Sequence, residues 1–219
     1  MSDDLKSSRT ELKRYPTRGH HDFETVAAIL DAAFMCHVGV SLNGQPYVLP
    51  MAYGREDRVL YLHGSAQGRM LNALAASEPI CVTVTLVDGL VLARSGLHSS
   101  INYRSVVILG SAEPVERGER ARALKCITDQ IVPGRWETLR PLTEAELDQT
   151  MVLRMDIVEA SAKVRTGPPQ DDEADYALPI WAGTLDFPIA DPVPVPDPRL
   201  DPGVAMPDHV ANYRRRGRQ

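Results

Sequence analysis

Two short stretches of this chain concentrate side chains suited to holding an anion. In the first, His63, Gly64 and Ser65 stand just before Arg69, at the head of an apolar-periodic segment. Glycine and serine at a helix start leave backbone N–H groups free, and both hydrogen bonding and the helix dipole favour a phosphate there. Arg69, about one turn in, adds a guanidinium that can pair with phosphate oxygens. A plain helix cap with a surface arginine accounts for the same residues. The second stretch, Arg94–Ser105, reads RSGLHSSINYRS and carries two arginines, a histidine, an asparagine and a tyrosine between apolar segments. It is either a solvated loop or part of a ligand site, and Arg104 must point into a barrel mouth or outward. His63, His98 and Tyr103 are the candidates for proton transfer. Tyr103 equally suits packing with its hydroxyl hydrogen-bonded.

Other constellations are weaker. Cys36, His37, His63, Cys81 and His98 match no short zinc-ligand spacing, so no metal is expected. Cys36 and Cys81 lie in strand-like runs, where cysteine usually acts as a small hydrophobe. Ser95 and Ser99 flank His98, yet no Gly-x-Ser-x-Gly elbow exists. No phosphate-binding glycine loop of the Walker or dinucleotide type is present. Trp136 and Trp181 suit either packing or stacking.

These residues must be positioned by the elements around them. Asp22 is placed to cap a helix over Phe23–Phe34, where Val26, Ile29, Leu30 and Ala33 recur at helical spacing. CHVGVSL, the turn pair Asn43-Gly44 and QPYVLPMAY then predict a β-hairpin, with Pro46 and Pro50 marking its second strand as an edge or bulge. VLYLH is a third strand, and HGSAQGRMLNALAA runs from strand through glycine loop to helix, burying Met70, Leu71 and Leu74. PICVTVTL is a strand, Asp88-Gly89 predicts a turn into LVLARS, and YRSVVILGSAEPV is a strand again. Arg117–Ile131 reads as a helix ended by Pro133-Gly134. Thr143 and Glu146 form a capping-box pattern. VLRMDIVEASAKVR is one strand candidate, and WAGTLDFPI is the last.

Residues 1–21 are expected as a flexible arm, 22–188 as the folded domain and 189–219 as a proline-rich extended tail ending in the basic RRRGR. The chain has 219 residues, 43% hydrophobic and only 5% aromatic, with a net charge of −5 that argues against general nucleic-acid binding. No apolar run is long enough to span a bilayer, and the N-terminus lacks a signal-peptide core, so a cytoplasmic protein is expected. Three cysteines with no CxxC pair argue against a disulfide framework. Closely spaced strands favour an antiparallel sheet or small barrel.

The order HVGV, NGQPYVLPMAY, LYLHGSAQGRM, VTVTLVDGLVLARS, NYRSVVILGSAEPV, PGRW, VLRMDIVEASAKVRTG and WAG resembles the flavin-binding split-barrel proteins, from about His20 to Trp181. Within them it is similar to the pyridoxamine 5'-phosphate oxidase-like group that includes the nitroimidazole-resistance proteins. The resemblance implies a mainly β fold, a six-stranded antiparallel split barrel, that forms a homodimer with FMN at the subunit interface. It places Pro50, Met51 and Ala52 along the isoalloxazine edge and His63, Gly64, Ser65 and Arg69 at the ribityl phosphate. Thr83 would face the flavin, Asn102, Tyr103, Arg104 and Ser105 would complete the site, and Trp181 would cover the ring. The C-terminal DPGVAMPDHVANYRRRGRQ departs from the arginine-rich motif of true pyridoxamine phosphate oxidases, and Ser99 stands where relatives carry a second histidine. The implied activity is an oxidoreductase passing electrons from a reduced nicotinamide to a small-molecule acceptor. The alternatives are a deazaflavin in place of FMN, or a non-catalytic flavin or haem carrier with His37, His63 or His98 as axial ligand.

Overall fold

The computed structural model describes residues 5–76, 79–188, 190–201 and 203–214. In chain order the elements are β1 (Gly19–His20), α1 (Phe23–Asp31), β2 (Met35–Leu42), β3 (Gln45–Glu56), β4 (Val59–Ser65) and α2 (Arg69–Ala75). They continue with β5 (Ile80–Leu92), β6 (Ser100–Gly110), β7 (Glu113–Pro114), α3 (Arg120–Ile131), α4 (Glu144–Gln149) and β8 (Thr150–Asp156). The last are β9 (Glu159–Arg165), β10 (Gly183–Asp186) and α5 (Asp208–Ala211).

The strands form one antiparallel sheet in the order β1-β9-β6-β5-β2-β3-β4-β8-β7, with β10 added along β5. The mainly β, split-barrel class expected from the sequence is what the chain adopts, but the described strands number ten rather than six and the sheet does not close. One face of the curved sheet holds the core. Alternate residues of its strands, such as Val38, Leu60, Leu62, Val82, Val84, Val106 and Ile108, point inward with Val26, Ile29 and Leu30 of α1. Each such side chain contributes about 1.5–3 kcal/mol on burial. On the opposite face, α3 covers β3 and β4, and Ala123 packs with Val115 and Val152 in a second, smaller cluster.

Local sequence explains the ends. The Asp22 carboxylate accepts from Thr25 N at 2.8 Å, capping α1 as expected. The helix is shorter than the periodicity predicts, since Tyr53 and Gln130 donate to the Leu30 carbonyl and Gln130 also to that of Ala33. Asn43 and Gly44 both take positive φ, 52° and 80°, which is what a two-residue hairpin turn requires. Thr143 and Glu146 complete a reciprocal capping box.

Three expectations fail. Asp88-Gly89 is no turn: β5 runs through it with a bulge, and Gly89 lies against β10, where a Cβ would meet Leu185 O at 2.7 Å. VLRMDIVEASAKVR is two strands, β8 beside β4 and β9 beside β6, so the break at Ile157-Val158 sends the chain across the molecule. The arm is packed rather than loose from Leu5 onward. Leu5 is 2% exposed, and Gly19 and His20 pair with Lys163 and Ala162. Residues 1–4 and most of RRRGR lie outside the described residues. The proline-rich segment carries one short helix, α5.

Candidate functional site

Alternation along the strands sorts the candidate residues by face. The register aligns Pro50, His37, Thr83 and Val107 in one row across β3, β2, β5 and β6. Adjacent rows pair Thr85 with Ser105 and Val87 with Tyr103. All these belong to the outer face, because their neighbours in sequence fill the core. That face is open around β2 and β3: Met35 is 50% and Val48 67% exposed, and His37 and Pro50 are exposed beside them.

β3 is open at its edge as well. Only residues 53–56 pair with β4, so residues 45–52 have β2 on one side and no strand on the other among the described residues. Pro46 and Pro50 have no N–H to give, and the odd-numbered Tyr53 donates back to Phe34 on the β2 side. The even positions therefore face the open edge, where Val48 and Ala52 present N–H groups and Pro46 and Pro50 present carbonyls only. Pro50, Met51 and Ala52, assigned to the isoalloxazine edge by resemblance, thus sit on an unpaired strand edge.

The Ser65–Arg69 loop borders this edge. Gly68 N donates to Ser65 O at 2.9 Å and Gln67 N to Ser65 Oγ at 3.3 Å, folding the loop before α2. The Arg69 guanidinium lies 5.3 Å from the ring centre of Tyr47, on the open half of β3. Asn72 Nδ2 donates to the carbonyls of Ala66 and Gly68. His63 is half-buried on β4, directly opposite Val152. Its Nδ1 is buried and without a hydrogen-bond partner, and burial lowers its pKa below the usual value.

The second stretch does not gather at this edge as a unit. Tyr103 and Ser105 are on the outer face, but Arg104 is on the core side, where its guanidinium grips both Asp88 oxygens at 2.7 and 3.0 Å. Asn102 is buried, donating to Gly167 O and accepting from Arg165. Arg94 is held by Asp171 through its own backbone N and its guanidinium, and lies 4.8 Å from the Tyr176 ring. His98 Nδ1 is 3.0 Å from Ser95 Oγ. Trp181 is 67% exposed, lies just before β10 rather than on it, and folds against Gly183.

Burial pushes the Cys36 thiol up to about 12 and that of Cys126 to about 11, so neither is an activated nucleophile. The cysteines join no ligand cluster among the described residues; the one close group of metal-ligating atoms is His98, Asp172 and Asp175, within 4.8 Å of one another. Sequence reasoning missed Asp88 as the partner of Arg104, Tyr47 beneath Arg69, and a second basic cluster where Arg14 and Arg18 meet Lys163 and Arg165. The run Arg14-Tyr15-Pro16-Thr17-Arg18 was the legible sign of the last.

An open antiparallel sheet with an uncovered strand edge, a loop from Ser65 to Arg69 beside it and helices packed on both faces is the architecture of a split barrel of the flavin-binding class. The family profile for pyridoxamine 5'-phosphate oxidase matches residues 22–164, and the chain belongs to that family. Among solved structures it is 46% identical to the flavocytochrome Anf3 from Azotobacter vinelandii, with a TM-score of 0.90 over 95% of this chain and 97% of that one. It is 32% identical to the FAD and heme binding protein from Mycobacterium smegmatis, with a TM-score of 0.85 over 89% and 96%. A Bacteroides thetaiotaomicron protein assigned to 5-nitroimidazole antibiotic resistance is 25% identical, with a TM-score of 0.57 over 67% and 86%. Comparison with the curated proteins finds no match. No helix among the described residues is long and apolar enough to cross a membrane.

Proposed function

We propose that this chain is a redox protein that binds a flavin nucleotide along the open half of β3 and a haem beside it, and that passes electrons from a reduced nicotinamide to a small-molecule acceptor. The observation that carries the reading is the unpaired edge of residues 45–52, with apolar Val48 and Pro50 and the imidazole of His37 exposed next to it. A flat heteroaromatic ring needs apolar contact on its faces and hydrogen-bonding groups at its polar rim. This edge offers the N–H groups of Val48 and Ala52 for that rim, and the loop from Ser65 to Arg69 lies near enough to take a phosphate. His37, on a central strand and open to solvent, is the axial ligand of choice over His63 and His98, whose rings are half-buried or already hydrogen-bonded. The flavocytochrome and the FAD and heme binding protein, aligned over almost the whole chain, favour haem as a second group rather than an alternative one.

FMN is the flavin implied by the sequence resemblance, and the FAD and heme binding protein brings in FAD. A homodimer would cover the open edge, with Trp181 of one protomer free to reach the other. The flavin and haem would supply the electron chemistry, and the chain the position and electrostatics.

The test is the absorption spectrum of the purified full chain, followed by mass spectrometry of the released chromophores. Flavin bands with a Soret band, the latter lost in His37→Ala while the flavin bands remain, are expected. A protein that stays colourless after flavin and haemin are both offered refutes the proposal. Bleaching of the flavin by NADH or NADPH, and its recovery with an acceptor, tests turnover.

A further inference from the structure

On the same outer face as the open edge but four strands away from it, a cavity of about 480 Å³ lies where the N-terminal segment crosses β9. Its walls include Arg14, Arg18, Lys163 and Arg165, together with Tyr103 and His98. No aspartate or glutamate lines it. None of the four cations has a carboxylate partner among the described residues, although the chain as a whole is net acidic. His98 also lies close to Asp172 and Asp175, so acid borders one wall only.

The cluster is built rather than incidental. Arg165 is 7% exposed, and among the described residues its guanidinium donates to the neutral side chain of Asn102 and to no carboxylate. A guanidinium taken out of water without a counter-charge is costly, and it is retained where an anion completes it. Burial first, then the nearby charge of Arg18, depresses the Arg165 pKa, which places Arg18 within electrostatic reach of it. Arg14 and Arg18 both lie over the ring of Tyr15, at 5.1 and 4.4 Å. Tyr15 itself holds a left-handed backbone, φ 58° and ψ 58°, a conformation a bulky residue keeps only where its surroundings impose it. Lys163 and Arg165 point the same way from β9, two residues apart and so about 7 Å along the strand.

Four cations exceed what a single phosphate group balances, and the Tyr103 ring offers a flat face at the same cavity. We propose that this pocket binds the diphosphate of a nucleotide, with Arg14, Arg18, Lys163 and Arg165 as its counter-charges and Tyr103 as a platform for the attached ring. The site is separate from the Ser65–Arg69 loop: β6 and β4 are not adjacent, with β5, β2 and β3 between them in the sheet. The diphosphate has two sources, a free nucleotide or the adenylate half of a flavin dinucleotide. Only the second rests on the flavin reading.

The experiment is titration calorimetry of the full chain, first dialysed at high salt until no nucleotide absorbance is released, with ADP and with inorganic pyrophosphate at low ionic strength. Saturable binding that weakens as salt rises is expected. Arg18→Ala and Lys163→Gln are each expected to weaken ADP by about ten-fold or more, the effect of losing one charge-assisted contact. Arg140→Ala, whose side chain pairs with Glu146 outside the pocket, should leave it unchanged. Repeating the titration with saturating FAD or FMN identifies the source: FAD alone blocking ADP assigns the dinucleotide, and neither blocking it assigns a free nucleotide. Failure of ADP and pyrophosphate to bind, or equal binding by both variants and the parent protein, overturns the proposal. ADP binding by a chain that takes up no flavin upholds it while refuting the flavin reading.

Discussion

Gly54→Ala isolates the contact that fixes the helix layer against β3. Gly54 lies in β3, two residues after Ala52, where α3 crosses it. A Cβ built on Gly54 would lie 2.6 Å from Ile127 N, 2.7 Å from Cys126 C and 2.8 Å from Cys126 O. Ordinary contact starts near 3.4 Å, so the two backbones must part by about 0.6–0.8 Å, and neither can rotate away as a side chain would. Overpacking by one methyl costs about 1–3 kcal/mol. The rigid partners put this case at the upper end, since a retreating α3 also loosens Ala123 and Ile127. Set against a total stability of about 5–15 kcal/mol, a loss of about 3 kcal/mol is severe. With a urea m-value of about 3 kcal/mol/M, the midpoint should fall by about 1 M. Flavin retention should weaken in parallel, because the strain enters β3 directly. A midpoint within about 0.2 M of the parent protein, at unchanged slope, would refute the argument that backbone contact sets this spacing.

Other outcomes follow from single contacts. His63 has its pKa lowered by burial, so the unfolded chain binds the extra proton first; stability should fall as pH drops below about 6.5 and level off below the folded-state value. His63→Gln should flatten that part of a urea-midpoint profile against pH, and an unchanged profile would contradict the assignment. Asp88→Asn removes the carboxylate charge that the Arg104 guanidinium, 12% exposed, grips; about 1–3 kcal/mol should be lost, tempered by the partial exposure of Asp88, as read by denaturant titration. Gln130→Leu removes donors from the carbonyls of Leu30 and Ala33 at the end of α1, and should cost about 1–3 kcal/mol in the same assay.

What the sequence made legible was local chemistry. The Asp22 cap, the Thr143–Glu146 capping box and the Asn43-Gly44 turn each depend on residues within four positions, and each stands as expected. Asp88-Gly89 failed because aspartate and glycine serve a bulge as well as a turn, and what decides between them is β10, nearly a hundred residues on. The break after Asp156 failed for a related reason: apolar alternation continues through it, while the partners of the two halves, β4 and β6, lie at different places in the sheet. The candidate site divides along the same line. Ser65 to Arg69 form the loop between strand and helix that the sequence suggested, and it lies beside the open strand, whereas Arg104 is held by Asp88. The pocket of Arg14, Arg18, Lys163 and Arg165 joins the two ends of the domain, and no spacing rule reaches that far.

The two prolines of β3 have a consequence beyond marking an edge. A bare strand in a wide sheet is a template on which another copy of the same strand can lay down a ladder, and repetition of that event yields fibrils. Pro46 and Pro50 interrupt the row of donors at every second outward position, leaving Val48 and Ala52 as isolated pairing points. A continuous ladder cannot grow there, although a compact ring with a few polar atoms can still be met. The chain thus leaves this edge uncovered while withholding the register that polymerisation needs.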